Sequence, residues 1–492
     1  LGLVEPAATG LLLLVFGVLI IFSVLFSRAL DRAGVPVVLL FLFLGMLGGS
    51  EGIGGVGFDN YELAFRLGTV ALILILFDGG LNTAQSAIRR SFAPAGILAT
   101  VGVALTAGLV ALMARAFGLD WPVALLIGAI VSSTDAAAVF AVLRGGSLRV
   151  KEPSRSVLEV ESCVNDPMAV ILTITIVEVL AGTTPLSWWL CAAVPAQLAI
   201  GTVVGAAVGA LGRVCLNRIR PSTGGLYPVA TFAIALLAFG SATLVYGSGF
   251  LAVFVAGAVL GNGPLPYRRG LTRVHDALAW FGQVSMFLML GLLVFPSRLL
   301  DVAGVGLALG ILLALVARPL AVTLCMLPFR WKPAPLAYTA FVGIRGAVPI
   351  ILATIPVMAG IPDASRVFDT VFFIVVVSAI VPGALIRPIT RRLGLELPHA
   401  RQPAAALEMH SLRTLDGDVQ IYAIHRSVAA CGATIRDLEF PEHASVLLIV
   451  RGQELIPAKG RTRFEEGDFV YIFCRREDEA NVGLIFGQPL DT

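Results

Sequence analysis

The sequence predicts an all-α polytopic membrane protein with a small α+β domain at its C-terminal end. Three observations carry that prediction. Of 492 residues, 57% are hydrophobic and only 14% are Asp, Glu, Lys or Arg, with a mean hydropathy of +0.91. Soluble domains carry about 25% charged residues. The charge is also divided along the chain: residues 1–395 hold 25 Lys/Arg and 17 Asp/Glu, net +8, whereas residues 396–492 hold 10 and 15, net −5. Finally, apolar runs of bilayer length recur throughout the first part and stop at the second. The composition excludes a soluble or disordered chain, and a net charge of only +3 gives no reason to expect a nucleic-acid partner.

A bilayer core takes about 20 apolar residues per helix. Thirteen segments are candidates: about 10–30, 35–50, 63–82, 93–117, 121–143, 155–180, 187–216, 226–247, 249–262, 275–296, 302–328, 335–359 and 367–392. The run Leu11–Phe26 lies between Glu5 and Arg28, the reverse of a signal peptide's basic start, and reads as a retained helix. Loop charges support the count. The loops after odd-numbered helices hold 19 Lys/Arg, from Arg28 and Arg32 to Arg387, Arg391 and Arg392, against four in the alternate loops. The positive-inside rule then places the N-terminus outside and the acidic tail in the cytoplasm. The expected organisation is a membrane domain over 1–395, a linker over 396–414 and a cytoplasmic domain over 415–492. Six cysteines form no CxxC pair, so neither a zinc site nor a disulfide framework is implied.

Seven ionisable residues fall well inside predicted spans: Asp78, Asp135, Glu161, Asp166, Glu178, Arg318 and Arg345. Charges there are costly and mark candidate sites. Asp135 and Asp166 each lie roughly 20 Å along their helices, which enter from opposite sides, so both reach midplane. Two carboxylates at one depth strip a cation of its water or take up protons instead, and that competition is the minimal chemistry of cation/proton exchange. The alternative is a silent pair of acids inside the bundle. Glu178 is near a helix end and reads as interfacial; Arg318 reads as snorkelling, with no role assigned. The surroundings point the same way. Ser132-Ser133-Thr134-Asp135 is a polar run within an apolar helix, where unwinding would offer oxygens. In Glu161-Ser162-Cys163-Val164-Asn165-Asp166, Ser162 and Asp166 share one helix face and Glu161 and Asn165 the next. Gly343-Ile344-Arg345-Gly346-Ala347-Val348-Pro349 loosens a helix around an arginine that needs an acid, and Glu161 is a candidate partner.

These three motifs, with Phe-Asp-Gly-Gly-Leu at 77–81, resemble the signature of the bacterial and archaeal monovalent cation/proton antiporters of the first cation–proton antiporter family, the NhaP type. The resemblance implies an NhaA-like antiporter fold of thirteen helices with inverted repeats and crossed broken helices. It also implies a homodimer and no enzymatic activity. It implies that Asp135 and Asp166 bind a monovalent cation or a proton, with Ser162 and the Thr134 carbonyl as further ligands. Glu161 and Arg345 would form a buried ion pair. Asn165 stands where electrogenic relatives carry a second acid, which implies one cation per proton. Asp78 is one methylene shorter than the family's Glu, which puts its supporting role in question.

Two motifs read as structural. Gly52-Ile53-Gly54-Gly55-Val56-Gly57 fits GxGxxG but follows no soluble strand, and a flexible outside loop is expected rather than a dinucleotide site. Gly201, Gly205 and Gly209 form a small-residue stripe suited to close helix packing.

In the tail, Val419–His425, Val446–Arg451 and Phe469–Cys474 read as strands, Thr434–Leu438 and Glu477–Phe486 as helices, and Gly467-Asp468 as a hairpin turn. Gly432-x-x-Ile435-x-x-Leu438, Ile449-x-Arg451, Ile456-Pro457, Gly460 and Gly467-Asp468 resemble the TrkA-C subdomain of potassium-conductance regulators. That resemblance implies a dimeric module sensing a small ligand, often a nucleotide. It tips the expected cargo toward K⁺ over Na⁺, in a bacterial inner membrane, with no cofactor. His425, His443 and Cys431 are too scattered for a metal site. A channel regulated by the same module is the alternative, but the chain has no Thr-Val-Gly-Tyr-Gly-like filter.

Overall fold

The computed structural model describes residues 37–135, 149–185, 189–219, 223–397 and 417–490, except 453 and 476, plus scattered helical positions between Gly10 and Leu25. Much of the first expected helix, the last third of the 121–143 segment and most of the linker lie outside the described residues. The chain divides into two units: Leu1–Pro264 with Leu271–Leu397, and Leu265–Gly270 with Pro398–Thr492.

The helices of the first unit are α1 (Val37–Gly48), α2 (Tyr61–Asn82), α3 (Gln85–Ala116), α4 (Trp121–Ile130), α5 (Ser154–Leu180), α6 (Trp189–Arg218) and α7 (Leu226–Leu244). They continue with α8 (Gly249–Gly261), α9 (Arg268–Leu292, whose first residues fall in the other unit), α10 (Pro296–Phe329), α11 (Pro333–Phe341), α12 (Ala347–Met358) and α13 (Ala364–Arg392). Among the described residues seven are long and apolar enough to cross a bilayer: α2, α3, α5, α6, α7, α10 and α13. A two-stranded ladder, β1 (Arg149–Val150) with β2 (Glu396–Leu397), joins the start of α5 to the end of α13, so the strand takes up the first residues of the expected linker. The predicted 335–359 segment is two helices, α11 and α12, separated by a non-helical stretch.

Two groups of helices pack among themselves. One is α2, α6, α7 and α8; the other is α3, α4, α5 and α10 to α13, and they meet where α12 touches α2 and α8 touches α5. Small residues decide the first group. A Cβ added to Gly201, Gly205 or Gly209 of α6 would run into the backbone of Ser248, Ala252 or Ala256, so the glycine stripe is a helix-packing seam. Helix starts are capped locally: Asn60 Oδ1 accepts from Leu63 N at 2.9 Å and Ser248 Oγ from Leu251 N at 3.4 Å. In the second group, α3 and α10 each contain one π-helical turn, Leu98–Gly102 and Leu313–Ala317. Such turns concentrate at functional sites.

The GxGxxG loop is not loose. Gly54 N donates to Leu47 O and Val56 N to Gly48 O, folding the loop back onto the end of α1. It presents Glu51, whose carboxylate accepts from Ser297 N at 2.8 Å and Ser297 Oγ at 2.5 Å at the start of α10. Those bonds hold Glu51 below the usual carboxylate range.

The second unit carries a four-stranded antiparallel sheet, β3 (Gly417–Ala423), β4 (Ser445–Arg451), β5 (Glu454–Pro457) and β6 (Phe469–Arg475), in the order β3-β6-β4-β5. Helix α14 (Glu479–Phe486) contributes Val482 and Phe486 to a core with Tyr422, Ile449, Phe464, Val470 and Ile472. The expected helix at 434–438 is a single 3₁₀ turn, Ile435–Asp437, inside a capping box in which Thr434 and Asp437 bond each other reciprocally. Those bonds from Thr434 lower the Asp437 pKa. Gly467 takes a left-handed φ of 95°. Asp468, fully buried, accepts from Arg451 Nε at 2.8 Å and Nη2 at 2.9 Å, which raises the arginine's pKa. The Gly-Asp pair is thus both a turn and the buried anchor of an ion pair whose arginine reaches the surface.

Candidate ion site

Helix α4 ends at Ile130 because its next residues turn their hydrogen bonds inward. Ser132 Oγ donates to Ala129 O at 2.6 Å, and the chain leaves the helical path through Ser133 and Thr134. Opposite it, α11 ends at Phe341 and α12 begins at Ala347. The two non-helical stretches meet: Asp135 N donates to Ile344 O at 2.9 Å. Arg345 Nη1 donates to Gly343 O at 2.6 Å and Nε to Val131 O at 3.3 Å. The guanidinium therefore satisfies carbonyls that the breaks expose, as the low dielectric requires. Gly346 faces Asp135 so closely that a Cβ there would fall on the carboxylate.

Helix α5 supplies the remaining groups. Asp166 is 1% exposed and Asp135 6%, and the two carboxylates are near enough to repel each other. Thr134 Oγ1 accepts from Asn165 Nδ2 at 2.6 Å and lies 3.1 Å from Ser162 Oγ. Asn165, Ser162 and Thr134 thus form one connected network beside the acids. Pro167 follows Asp166 within the helix and has no amide to donate to the Cys163 carbonyl. The four expected ligand residues, Thr134, Asp135, Ser162 and Asp166, all lie in this one place, with Asn165 in contact. Asp78 accepts from Asn82 Nδ2 at 2.8 Å, one turn along α2. Glu178 is exposed near the end of α5, with Thr184 Oγ1 donating to it at 3.4 Å, as an interfacial residue would be.

The expected ion pair needs correction. Glu161 is held by Arg318, not Arg345: Nη1 to Oε1 is 2.7 Å and Nη2 to Oε2 is 2.8 Å, with the side chains 0% and 2% exposed. Arg318 does not snorkel. It follows directly on the π turn Leu313–Ala317 and points into the bundle. Arg345 is close by, since both arginines flank Gly343, but its donors go to backbone carbonyls. The missed signal was an arginine deep in a long apolar run. Read from the sequence alone, Glu161 goes to Arg345 and Arg318 to the membrane interface, although both arginines lie within apolar runs.

The arrangement can hold a small cation. It combines two carboxylates and neutral oxygens at a helix break, enclosed by protein, and carboxylate, carbonyl and hydroxyl oxygens are the donors that hard cations take. Among the described residues no cluster of three His, Cys, Asp or Glu forms a resident metal centre.

Comparison with known proteins agrees with this geometry. Residues 17–392 match the family model described as sodium/hydrogen exchanger, transmembrane, and residues 419–487 match that of the TrkA-C domain. The chain is 40% identical over 480 residues to the K(+)/H(+) antiporter NhaP of Alkalimonas amylolytica, covering 97% of this chain and 83% of that one. It is 37% identical over 480 residues to the K(+)/H(+) antiporter NhaP2 of Shewanella oneidensis, covering 96% and 82%. Its fold is shared with the sodium proton antiporter MjNhaP1 of Methanocaldococcus jannaschii, at a TM-score of 0.67 and 22% identity over 78% of this chain and 99% of that one. With an antiporter signature, an enclosed acid pair at a helix break and a family match across the membrane unit, the chain belongs to the transmembrane sodium/hydrogen exchangers and is a cation/proton antiporter with a TrkA-C domain.

Proposed function

We propose that this antiporter exchanges K⁺ for H⁺ one for one across a bacterial inner membrane by alternating access. It works as a homodimer of thirteen-helix protomers with inverted repeats, N-terminus outside and tail in the cytoplasm. The observation that carries the reading is the enclosed pair Asp135 and Asp166 with neutral oxygens around it. The carboxylates replace a cation's water shell. Protonation removes their charge and releases the cation, so cargo and proton compete for the same oxygens. Glu161, Arg318 and Arg345 hold the frame of this exchange, with their charges balanced by each other and by backbone carbonyls. K⁺ is favoured over Na⁺ because the more similar relatives are named as K⁺/H⁺ antiporters. In proteoliposomes, K⁺ and Rb⁺ pulses are expected to drive proton efflux at lower concentrations than Na⁺ or Li⁺. The reverse order would reject K⁺ as the cargo.

Asn165 bears on stoichiometry. Its amide adds no charge beside Asp166, so a single site alternates between one cation and one proton. Cation-driven proton flux is expected to be insensitive to an imposed membrane voltage, and charge displacement per turnover would overturn the one-for-one reading.

The tail reads as the control element. A tether of about 20 residues keeps the two modules of a dimer at high local concentration. A ligand shifts the exchanger only if it binds the active and inactive states unequally. Deleting the chain from 403 onward is expected to leave exchange intact and remove its response to a cytoplasmic nucleotide. A full-length protein unresponsive to a broad nucleotide panel would reject that class of ligand.

A further inference from the structure

Three buried oxygens around the helix break have no hydrogen-bond partner: Ser133 Oγ, Asn165 Oδ1 and Asp166 Oδ1. Each belongs to a residue no more than 1% exposed. The neighbouring hydroxyls are all engaged. Ser132 Oγ donates to Ala129 O, and Thr134 Oγ1 is shared between Asn165 Nδ2 and Ser162 Oγ. Ser133, unlike Ser132 beside it, makes no bond back to a local carbonyl of the kind that Thr69, Thr106, Thr202 and Thr323 make elsewhere in the bundle. Buried polar atoms left unmatched are uncommon and call for a reason. Here a hydroxyl, an amide oxygen and a carboxylate oxygen lie together without a well-formed hydrogen bond, and the Ser133 hydroxyl is close enough to the Asp166 carboxylate to interact with it, so the two oxygens face one place.

We propose that Ser133 gives its hydroxyl directly to the transported cation and sets the preference for the larger alkali ions. The inference rests on the reading of Asp135 and Asp166 as the cation site. Its logic is one of number and charge. Two carboxylates already supply the negative charge one cation needs, so a further ligand has to be neutral. A small ion fills its shell with fewer oxygens, whereas a larger one keeps room for another at longer range. Ser133 Oγ and Asn165 Oδ1 are neutral oxygens that the Thr134–Ser162–Asn165 network does not use. Loss of the Ser133 hydroxyl therefore weakens K⁺ more than Na⁺ or Li⁺.

The test is the ratio of half-saturating concentrations for K⁺ and Na⁺ in proteoliposomes of the full chain carrying Ser133→Ala or Ser133→Cys. The expected result is a rise of about tenfold for K⁺, the loss of one modest interaction, with Na⁺ moving less than about twofold. Ser133→Cys keeps the volume and a weak donor but places a soft sulfur in the site, so it is expected to behave like the alanine variant. An unchanged K⁺-to-Na⁺ ratio in both variants would overturn the proposal, with the hydroxyl then serving only a trapped water. Restoration of the ratio by Ser133→Cys would overturn it as well, by showing a packing role. Melting in detergent with added K⁺ or Na⁺ gives a readout independent of transport. The K⁺-dependent rise of the wild type is expected to shrink in both variants, and full retention would count against direct contact. Asp166→Asn, run in parallel, separates the two levels. If it still transports, the underlying site reading fails; if it is inactive while the Ser133 variants keep wild-type selectivity, only the present inference fails.

Discussion

Asp166→Asn is expected to abolish cation/proton exchange while the protein still inserts and melts cooperatively. The substitution is nearly isosteric and leaves helix α5 intact, since the carboxylate makes no helix-capping bond and Pro167 already interrupts the local backbone ladder. Under the proposed exchange, it removes the buried charge that would offset the cost of stripping water from a cation, and the titratable oxygen that would make the proton an alternative occupant. An uncharged amide offers neither. Proton flux driven by K⁺ pulses is the measurement, with cation-dependent melting as a check that binding rather than turnover has gone. Exchange near the wild-type rate in a correctly inserted variant would remove Asp166 from the site. Asp135→Asn is expected to behave alike, because its backbone N–H, not its side chain, makes the bond to Ile344.

The second large effect is on stability. Glu161→Gln leaves Arg318 charged at 2% exposure with no carboxylate beside it. Breaking a buried pair in this way costs about 3–5 kcal/mol. Replacing both, with Glu161→Leu and Arg318→Met, is expected to be much milder, because no unmatched charge remains. A double-mutant cycle in detergent melting is therefore expected to show strong coupling between Glu161 and Arg318. The coupling between Glu161 and Arg345 is expected to be weaker. Arg345→Met acts instead by exposing the Val131 and Gly343 carbonyls, so its cost is separable. Additivity for Glu161 with Arg318 would contradict the bidentate geometry.

The burial of Asp135 and Asp166 was legible because both fall deep inside apolar segments, where a carboxylate is costly and marks a candidate site. The breaks were legible from Gly343, Gly346 and the 132–135 polar run, which spoil a helix locally. The identity of the Glu161 partner was not. Helical periodicity assigns a residue to a face of its own helix, but two buried arginines on different helices compete for one acid, and tertiary packing decides between them. The π turn before Arg318 made this harder, since it adds a residue per turn and moves the side chain off the face a regular helix would give. In the tail, β3, β4 and β6 fall within two residues of expectation, because their apolar runs are buried. Strand β5 was missed: Glu454, Leu455 and Pro457 are exposed, and only its pairing to β4 makes it a strand.

The glycine seam between α6 and α8 has a mechanical consequence. Where backbone meets backbone, no side-chain rotamers are available to absorb displacement, and the contact has little compliance. Helices α6 and α8 therefore behave as one stiff strut. Where α8 faces α5, the contact is made by Leu251 and Phe254 against Cys163, through side chains rather than backbone. Gly80, Gly257 and Gly261 make a second such seam between α8 and α2, so α8 is fixed to both neighbours by backbone and meets α5 through side chains at Cys163, three residues from Asp166.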